Sequence, residues 1–490
     1  MQTVLPLICI LLPFLTGLLL YLLPLRSFRK LAVYMMLSVC ATSVLVWMLI
    51  RSADGTPMTL ISFSRYLVLT LRTDKLGKFF LGILATLWPL TALYACSYME
   101  KKEHLKMFFS FFLLAYSVTI GIAEAGNLFT MYCFYELLTL TTVPLVIQPM
   151  TKEAVRAART YFIYSLGGAA FGFVAMVFLL LNGGDGLFQM GGLLTGTDMN
   201  PNIVSLFYVI GFLGFGVKAA VFPVHGWLPK VSVAPTPVTA LLHAVAVVKA
   251  GAFAVIRLTY YSFGTELLLG SWGQIAAEMI AAFTIFFGAS MAVKESHWKR
   301  RMVYSTVANL SYILFGAALM TDAGLCGSLM HMAAHACIKI LAFFCVGAVL
   351  HRTGRSSIYE LDGLGRKMPV TFACFTAAAL SLTGIPPLNG FVSKWTLLTA
   401  AAEAGTPWAY AGAGALLAAA LLTAIYMLTT VRRAWFPDKS FLPDSVEDVR
   451  EADWKMLLPM LILATGILAF GIFAEPVYSA AMQIAGGVGI

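Results

Sequence analysis

Residues 218–257 read KAAVFPVHGWLPKVSVAPTPVTALLHAVAVVKAGAFAVIR. Apolar side chains dominate this stretch, but single lysines and histidines interrupt them, and Pro223 and Pro229 lie between two apolar runs. A helix needs about 20 mostly apolar residues to cross the core of a bilayer. Irregular backbone is tolerated at that depth only where it is buried in protein or lines a water-filled cavity. The stretch therefore predicts a broken membrane helix, followed by a second helix, inside a helix bundle.

The composition of the whole chain extends this prediction. Of 490 residues, 60% are hydrophobic and 11% are charged, whereas a soluble domain is about half apolar and roughly a quarter charged. The formal net charge of +10 does not indicate nucleic-acid binding, because the basic residues are spread between apolar runs. The eight cysteines lie singly, so neither an iron–sulfur cluster nor another metal site is expected from them. The sequence predicts a polytopic membrane protein.

Fourteen windows are long and apolar enough to span the bilayer, and they predict an all-α fold. The first lacks the basic start and the cleavage site of a signal peptide, so a retained helix is expected. Windows 7 and 12 run into PVHGWLP (223–229) and GIPPLNG (384–390), where Pro223, Pro386 and Pro387 are expected to break the helices. The windows are 3–25, 31–50, 76–98, 107–123, 127–149, 160–181, 203–222, 234–260, 272–292, 302–320, 324–350, 369–400, 407–431 and 456–480.

The loops between these windows differ in charge. When they are assigned alternately to two sides, 23 lysines and arginines fall on one side and five on the other. Cytoplasmic loops are enriched in these residues, so both termini are predicted to be extracytoplasmic. With no organelle transit peptide at its start, the chain is assigned to a prokaryotic plasma membrane, and an organelle-encoded membrane subunit is the alternative. Alternating polar and apolar residues over 54–73 predict a short extracytoplasmic hairpin.

An eight-residue match links the two proline-containing windows. Pro223-Val-His-Gly-Trp-Leu-Pro-Lys230 and Pro387-Leu-Asn-Gly-Phe-Val-Ser-Lys394 share proline, glycine, an aromatic residue and lysine at equal offsets. Windows 7 and 12 are five apart, so they are expected to cross the membrane in opposite senses. Paired broken helices in inverted repeats are typical of transport sites, and His225 lies at the first break.

Single ionisable residues fall inside several windows. Each costs roughly 2.5–3.5 kcal/mol in the middle of a bilayer, so they are expected to face the bundle interior and to mark a function. Arg257, Glu124, Glu278 and Glu475 lie nearer window ends and are interpreted as interfacial. The interior residues are Glu136, Lys218, His243, Lys249, His331, His335, Lys339 and Lys394.

The spacing of these residues suits proton transfer. Glu136 is expected to pair with a lysine such as Lys218, either as a proton-exchanging pair or as a static ion pair. His331, His335 and Lys339 recur every four residues and so form one helix stripe, which can carry protons through water. A zinc site, which would need a third ligand, and a structural polar stripe are the alternatives.

The other interior residues are interpreted from their positions. His243 and Lys249 lie about 120° apart on their helix and are expected to line different walls. Lys394, four residues after GIPPLNG, is expected near the entry or exit of the pathway, and an ordinary interfacial lysine is the alternative.

Four segments in order carry a resemblance to a known family: FYELL around Glu136, the opening stretch 218–257, HMAAHACIKILAFF from His331, and SLTGIPPLNGFVSKW up to Trp395. Over roughly residues 75–435 the chain resembles the antiporter-like proton-translocating subunits. These subunits occur in respiratory complex I, in Mrp-type cation/proton antiporters and in energy-converting hydrogenase complexes.

The resemblance implies fourteen core helices, with inverted five-helix repeats in helices 4–8 and 9–13. It divides the chain into 1–105, 106–260, 272–435 and 436–490. It makes Glu136 and Lys218 the coupled pair, Lys249 the central lysine and Lys394 the terminal lysine, with the histidine stripe as the middle relay. Lysine rather than glutamate at 394 favours the Mrp D-type subunit and related hydrogenase-like complexes.

The implied function is proton translocation within a multi-subunit complex, driven by redox chemistry or by a cation gradient. Expected partners are other antiporter-like subunits, small membrane subunits and lipid. Any iron–sulfur cluster or flavin is expected in a peripheral redox arm, with none in this chain. The driving reaction and the transport of sodium are left open. A stand-alone secondary transporter of a small solute or cation is the alternative, and a membrane scaffold is a third.

Overall fold

A computed structural model describes residues 4–25, 27–184, 186–437 and 449–486. Both chain termini and residues 438–448 of the predicted last cytoplasmic loop lie outside these ranges. The described part is a helical bundle with one two-stranded hairpin. Its helices are α1 (Leu5–Leu22), α2 (Phe28–Arg51), α3 (Lys75–Tyr98), α4 (Leu105–Ala123), α5 (Leu128–Ile147), α6 (Lys152–Asn182), α7 (Pro201–Gly216), α8 (Thr236–Ala244), α9 (Val247–Ile256), α10 (Trp272–Lys294), α11 (Trp298–Ala318), α12 (Asp322–Thr353), α13 (Leu364–Lys367), α14 (Pro369–Thr383), α15 (Asn389–Ala404), α16 (Pro407–Trp435), α17 (Trp454–Ile472) and α18 (Glu475–Ala485).

Eleven helical segments of the described chain are long and apolar enough to cross a membrane, so the prediction of a polytopic membrane protein is confirmed. They coincide with all the predicted windows except 7, 10 and 12. The shorter α7 and α14 are apolar but incomplete spans. The helix in window 10, α11, contains many polar side chains. The prediction of a single helix over window 14 was wrong, because α17 ends at Ile472 and α18 begins at Glu475.

The predicted hairpin is present. Strands β1 (Met58–Ser62) and β2 (Val68–Leu71) pair antiparallel, with an irregularity between Thr59 and Ile61. Leu71 then bridges to Ala125, which follows α4. Asn127 bridges in turn to Leu187, and the backbone N–H of Leu193 donates to Ser262 O at 2.8 Å. The loops after windows 2, 4, 6 and 8 therefore meet at one end of the bundle, as their alternate assignment requires.

The first broken helix ends sooner than predicted. Window 7 ran to residue 222, but α7 ends at Gly216. The N–H of Val221 donates to Gly216 O, and that of Ala220 donates to Val217 O. These two bonds, with Ala220 in the left-handed region at φ 55°, form a Schellman motif that terminates the helix before Pro223. Lys218 therefore lies in the terminating turn rather than inside a helix.

The second broken helix ends in the same way. Gly384 has φ 98°, its N–H donates to Ser381 O, and the N–H of Ile385 donates to Leu380 O. Ala220 and Gly384 each lie three residues before the proline aligned by the repeat. The breaks predicted at Pro223 and at Pro386–Pro387 are thus present, and a Schellman motif ends the helix before each of them. The Phe222–Pro223 and Pro386–Pro387 peptide bonds are cis.

A third break had no signal in the sequence. α8 ends at Ala244 and α9 begins at Val247, although residues 243–249 include neither proline nor glycine. The chain then continues beyond α9 as a π-helical turn, Arg257–Phe263. π-Helical turns occur frequently at functional sites. His243 and Lys249 lie on opposite sides of this break.

The most buried spans occupy the centre of the bundle. The span Thr236–Phe263 is entirely buried, and α12 is mostly buried. α12 packs against α3, α8, α11, α14, α15, α17 and α18. Five of the eight predicted interior residues lie on these central segments, so the fold places them away from lipid. They are His243, Lys249, His331, His335 and Lys339.

Candidate functional site

Glu136 and Lys218 lie close together, as the sequence predicted. Glu136 Oε1, on α5, is 3.8 Å from Lys218 Nζ. The lysine side chain is fully buried, whereas 26% of the Glu136 side chain is exposed at the surface of the chain. Glu136 Oε1 makes no hydrogen bond with the described residues. The pair therefore connects the bundle interior with its membrane-facing surface.

The turn that ends α7 holds Lys218 in place. Lys218 Nζ donates to the backbone oxygen of Tyr135 and lies 3.4 Å from the centroid of the Tyr135 ring. Trp227 Nε1 donates to Val217 O at 2.8 Å, which ties the irregular segment back to the helix end. A Cβ atom on Gly251 would lie 2.5 Å from Ala219 N, so this glycine lets α9 pack directly against the turn.

Lys249 contacts the histidine stripe. Its Nζ lies 2.7 Å from His335 Nδ1, and both residues are fully buried. Either the ammonium donates to an unprotonated Nδ1, or a protonated Nδ1 donates to the neutral amine. Both forms satisfy the contact, and they differ by the position of one proton. A buried lysine and histidine in direct contact can therefore pass a proton between them.

His331 extends the stripe toward the second break. The rings of His331 and His335 lie 5.8 Å apart between centroids. His331 Nδ1 is 3.0 Å from Ser393 Oγ, which precedes Lys394. In both histidines Nε2 is buried and has no hydrogen-bond partner among the described residues. Each ring thus has one bonded nitrogen and one available nitrogen, as a proton carrier needs.

Lys394 lies at the second break. Its Nζ donates to Leu382 O at 2.5 Å and to Thr383 O at 3.2 Å, which are carbonyls of the last turn of α14. Lys394 is 5% exposed, so it is a buried residue. The lysine that the repeat aligns with it, Lys230, is exposed. The sequence match between the two lysines therefore does not extend to their environments.

Lys339 ends the stripe on a polar cluster. Its Nζ donates to Ser305 Oγ at 2.7 Å and to Met302 O at 2.9 Å. The Tyr426 hydroxyl donates to the same Ser305 Oγ at 2.7 Å. These contacts join α11, α12 and α16 around one buried amine. Neither Ser305 nor Tyr426 stood out in the sequence, because hydroxyl residues are frequent in membrane helices.

His243 lies apart from this contact chain, as its predicted separate wall requires. Both ring nitrogens are buried without a hydrogen-bond partner among the described residues, and the ring lies 5.3 Å from that of Phe343. Lys299 and Lys339 are within electrostatic reach of it. Sequence reasoning missed Lys299, which was counted among the cytoplasmic loop residues because it begins a Lys-Arg-Arg run.

Lys299 is instead a buried amine that lines a cavity. It is 5% exposed, and its Nζ donates to Ala234 O at 2.5 Å. The cavity holds about 460 Å³. Its walls come from the segments after windows 3, 5, 7 and 9, on the predicted cytoplasmic side, and include Tyr98, Lys102, Gln148 and His297.

In the described chain, His225 makes no hydrogen bond or ring contact with the lysine and histidine residues named above. It is partly exposed beside Phe222 and Phe287, and its ring lies 4.8 Å from the Phe287 ring. The break near it is held by the Phe222 N–H, which donates to Thr284 Oγ1 at 3.1 Å. His225 therefore belongs to the packing of the first broken helix against α10.

Four carboxylate and arginine residues were interpreted as interfacial from their positions near window ends, and the structure shows that three of them are buried within the chain. Glu124 and Arg257 are fully buried, and Glu278 is 2% exposed. Arg257 donates to Asp74 through two nitrogens, at 2.5 and 2.6 Å, which explains why its burial is tolerated. Glu475 is exposed and accepts from Ser479 at 2.6 Å, as an interfacial residue would.

The described residues contain no group of three or more histidine, cysteine, aspartate or glutamate side chains that could hold a metal ion. His331 and His335 therefore have no third ligand nearby in the described chain. The row of contacts runs from Lys249 through His335 and His331 to Ser393 and Lys394. Among the described residues no hydrogen bond joins Lys218 to Lys249, so the Glu136–Lys218 pair is separate from this row.

Residues 125–427 match the family model described as "NADH:quinone oxidoreductase/Mrp antiporter, TM". The chain belongs to this family. The antiporter-like chain is 33% identical over 424 residues to NADH-quinone oxidoreductase subunit N of Desulforudis audaxviator (strain MP104C), which covers 82% of each protein.

Two solved structures share the fold of the antiporter-like chain. One is a chain of the Mrp complex from Dietzia sp. DQ12-45-1b, with a TM-score of 0.86 and 21% identity over 99% of this chain and 97% of that one. The other is a chain of the membrane-bound sulfane sulfur reductase, an archaeal respiratory membrane complex. It gives a TM-score of 0.85 and 23% identity over 100% and 98% of the two chains. The resemblance to antiporter-like subunits is confirmed at the level of family and fold.

Proposed function

We propose that this chain is a proton-translocating, antiporter-like membrane subunit of a multi-subunit complex. Membership of the family supports this function, since its members include subunits of quinone oxidoreductases and of antiporters. The single observation that carries the mechanism is the 2.7 Å contact between Lys249 Nζ and His335 Nδ1 in a fully buried site. Two titratable groups that share one proton are what a proton pathway needs and what a static scaffold does not.

In the proposed mechanism, Glu136 and Lys218 form the control point. An ionised Glu136 stabilises the Lys218 ammonium electrostatically, and loss of that pairing frees the proton. Glu136 is part-exposed beside Leu137 and Leu140, which are 43% and 55% exposed on the same helix. A neighbouring subunit packed on this surface would move or screen the carboxylate and so couple its own chemistry to the proton on Lys218.

The remaining residues form the central and terminal parts of the pathway. Lys249 exchanges its proton with His335, and His331 connects this pair with Lys394 at the second break. His243 and Lys339 serve as the branch toward the cavity lined by Lys299. Pro223, Pro386 and Pro387 break the two helices, so that irregular backbone and water can meet the pathway there. His225 has a packing role at the first break.

The proposed topology has fourteen spans and both termini outside the cytoplasm. α7 with its following turn, α11, and α14 with α15 supply the three spans beyond the eleven long apolar segments. Two inverted repeats then follow in the numbering of the fourteen spans. Spans 4–8 form the repeat 106–260 and spans 9–13 form the repeat 272–435, with flanking parts 1–105 and 436–490. The matching Schellman turns at Ala220 and Gly384 support this pairing.

The partners and location follow from the proposed family role. The chain is assigned to a prokaryotic plasma membrane, in contact with antiporter-like subunits, small membrane subunits and lipid. Redox cofactors such as iron–sulfur clusters or flavin would lie in a peripheral arm formed by other chains. Lys394 favours the Mrp D-type subunit or a hydrogenase-like complex, and a cation gradient or a redox reaction would supply the energy.

Mass spectrometry of the proteins that co-purify with this chain after mild detergent extraction tests the proposal. We expect several hydrophobic partner subunits in fixed ratio. Iron–sulfur or hydrogenase-type partners would assign it to a redox-driven pump. Small membrane partners alone would assign it to an Mrp-type antiporter. Recovery of the chain alone would contradict the subunit role and favour the stand-alone transporter.

A further inference from the structure

A buried carboxyl group outside the row described above lies at the opposite end of the central span. Glu124 follows the last residue of α4 and is fully buried. Its Oε2 accepts a hydrogen bond of 2.6 Å from Thr73 Oγ1, and its Oε1 has no hydrogen-bond partner among the described residues. A buried polar atom of this kind is rare and calls for an explanation.

The surroundings of Glu124 are polar and charged. Asp74 and Arg257 form their double hydrogen bond beside it, and Arg72 Nη1 donates to Phe188 O at 3.0 Å. The Nε atoms of Arg72 and Arg257 are also buried without a partner in the described chain. Three such atoms in one place indicate a hydrated site, because buried water typically satisfies groups of this kind.

A cavity adjoins this cluster from the hairpin side. It holds about 170 Å³, and its lining includes Arg72, Thr73, Asp54, Gly55 and the strand β1 residue Met58. Thr73 is therefore shared: its hydroxyl donates to Glu124, and the residue also lines the cavity. A hydroxyl group both donates and accepts, so Thr73 can pass a proton between the carboxyl group and water in the cavity.

The central span connects this cluster with the row. Lys249 and Arg257 lie eight residues apart in the fully buried segment Thr236–Phe263, a distance of about 12 Å along a helix axis. Arg257 is held by Asp74 and by the Tyr261 ring, whose centroid is 4.5 Å away. The same segment thus presents Lys249 to the histidine stripe and Arg257 to Glu124.

We propose that Glu124 is a proton-release group on the extracytoplasmic side, through which protons leave the pathway by way of Thr73 and the cavity under the hairpin. The inference rests on the proposed function and topology. In this step Glu124 Oε1 accepts a proton and becomes a neutral carboxylic acid. The carboxyl group and the Thr73 hydroxyl then reorient, so that the acid O–H donates to Thr73 Oγ1 and the Thr73 O–H donates to water in the cavity. Transfer of the carboxyl proton to Oγ1, together with transfer of the hydroxyl proton to water, restores both the carboxylate and the threonine hydroxyl.

Electrostatics agree with this role. Burial, with a smaller contribution from the nearby Asp74 carboxylate, raises the pKa of Glu124 to about 7, although the Thr73 hydrogen bond and the positive charges of Arg257 and Lys78 act in the opposite direction. A carboxyl group with this pKa is protonated below neutral external pH and releases its proton above it. The charged and titratable groups around it are Cys9 on α1, Arg72 after β2, Asp74 and Lys78 at the start of α3, and Arg257 and Tyr261 in the π-helical turn.

The test uses the intact complex reconstituted in liposomes, with Glu124→Gln as the variant. Glutamine has the same shape and keeps an acceptor for Thr73. We expect proton flux to fall about tenfold or more, as for loss of a proton-transfer group. In the parent, flux should rise as external pH is raised through about 7, and this dependence should be absent from the variant. Glu475→Gln, an exposed carboxylate near the same predicted side, should behave as the parent.

A second measurement does not depend on transport. Infrared difference spectra of the parent should show a protonated-carboxyl band that titrates near neutral pH and is absent from Glu124→Gln. Thr73→Val should shift this band, because it removes the hydrogen bond to Oε2. Parent-like flux and an unchanged band in Glu124→Gln would overturn the inference. In that case, a Lys249→Ala variant without proton flux in the liposome assay would show that the proposed proton-translocating function still stands. A Lys249→Ala variant with parent-like flux would contradict both the proposed function and the role of Glu124.

Discussion

Replacing either Glu136 or Lys218 by alanine is expected to lower proton transport roughly a hundredfold or more, while the complex stays assembled. Among the described residues, Glu136 and Lys218 form the only ion pair between a carboxylate and one of the predicted interior lysines, with 3.8 Å between Oε1 and Nζ. Without Glu136, the Lys218 ammonium has only the Tyr135 carbonyl and ring beside it. Without Lys218, nothing in the pathway responds to Glu136. Transport by inside-out vesicles, with subunit content checked on native gels, measures both effects.

The double variant separates a coupled pair from two independent residues. If Glu136 acts through Lys218, the double variant should transport no worse than either single variant, because coupled residues are not additive. Normal transport in both single variants would contradict the relay. Loss of assembly in both, with no loss of transport per assembled complex, would instead support the static ion pair that the sequence left open.

The second large effect is expected at the second broken helix. Lys394→Ala should reduce transport about tenfold or more, because it removes the buried amine next to Ser393 and His331. The two carbonyls of α14 that it satisfies would also lose a donor, at a cost of about 1–3 kcal/mol each when buried. The measurement is proton flux together with the melting temperature of the purified complex.

Lys230→Ala is the matched control for this substitution. Lys230 occupies the aligned position in the first break but is exposed. We expect the Lys230→Ala variant to transport protons as the parent does. Equal losses in the two variants would mean that the sequence repeat, rather than burial and hydrogen bonding, decides function. Parent-like proton flux in both variants would mean that Lys394 is the ordinary interfacial lysine that the sequence left as the alternative.

The sequence predicted the site best where single charged residues interrupt long apolar runs. An isolated lysine or glutamate in an apolar run has few stable environments, so Glu136 and Lys218 could be paired, and the helix spacing put His331, His335 and Lys339 in one stripe. Proline chemistry likewise located both predicted breaks. The family resemblance followed from these same segments.

Other features depended on long-range packing and could not be inferred. The contact of Lys249 with His335 joins residues 86 positions apart. Lys299 looked like a loop residue until Ala234, from a distant segment, covered it. Arg257 looked interfacial because its partner Asp74 precedes a different helix. The break after Ala244 follows from tertiary packing, since no local residue signals it.

Proton flux through the purified complex in liposomes, compared between the parent and Lys249→Ala, is the most direct test of whether the buried lysine and histidine carry protons. Lys249 is fully buried and makes the 2.7 Å contact that carries the proposed pathway. We expect the variant to assemble with its full set of subunits and to lose proton flux by roughly a hundredfold. Parent-like flux in the assembled variant would contradict the proposed pathway.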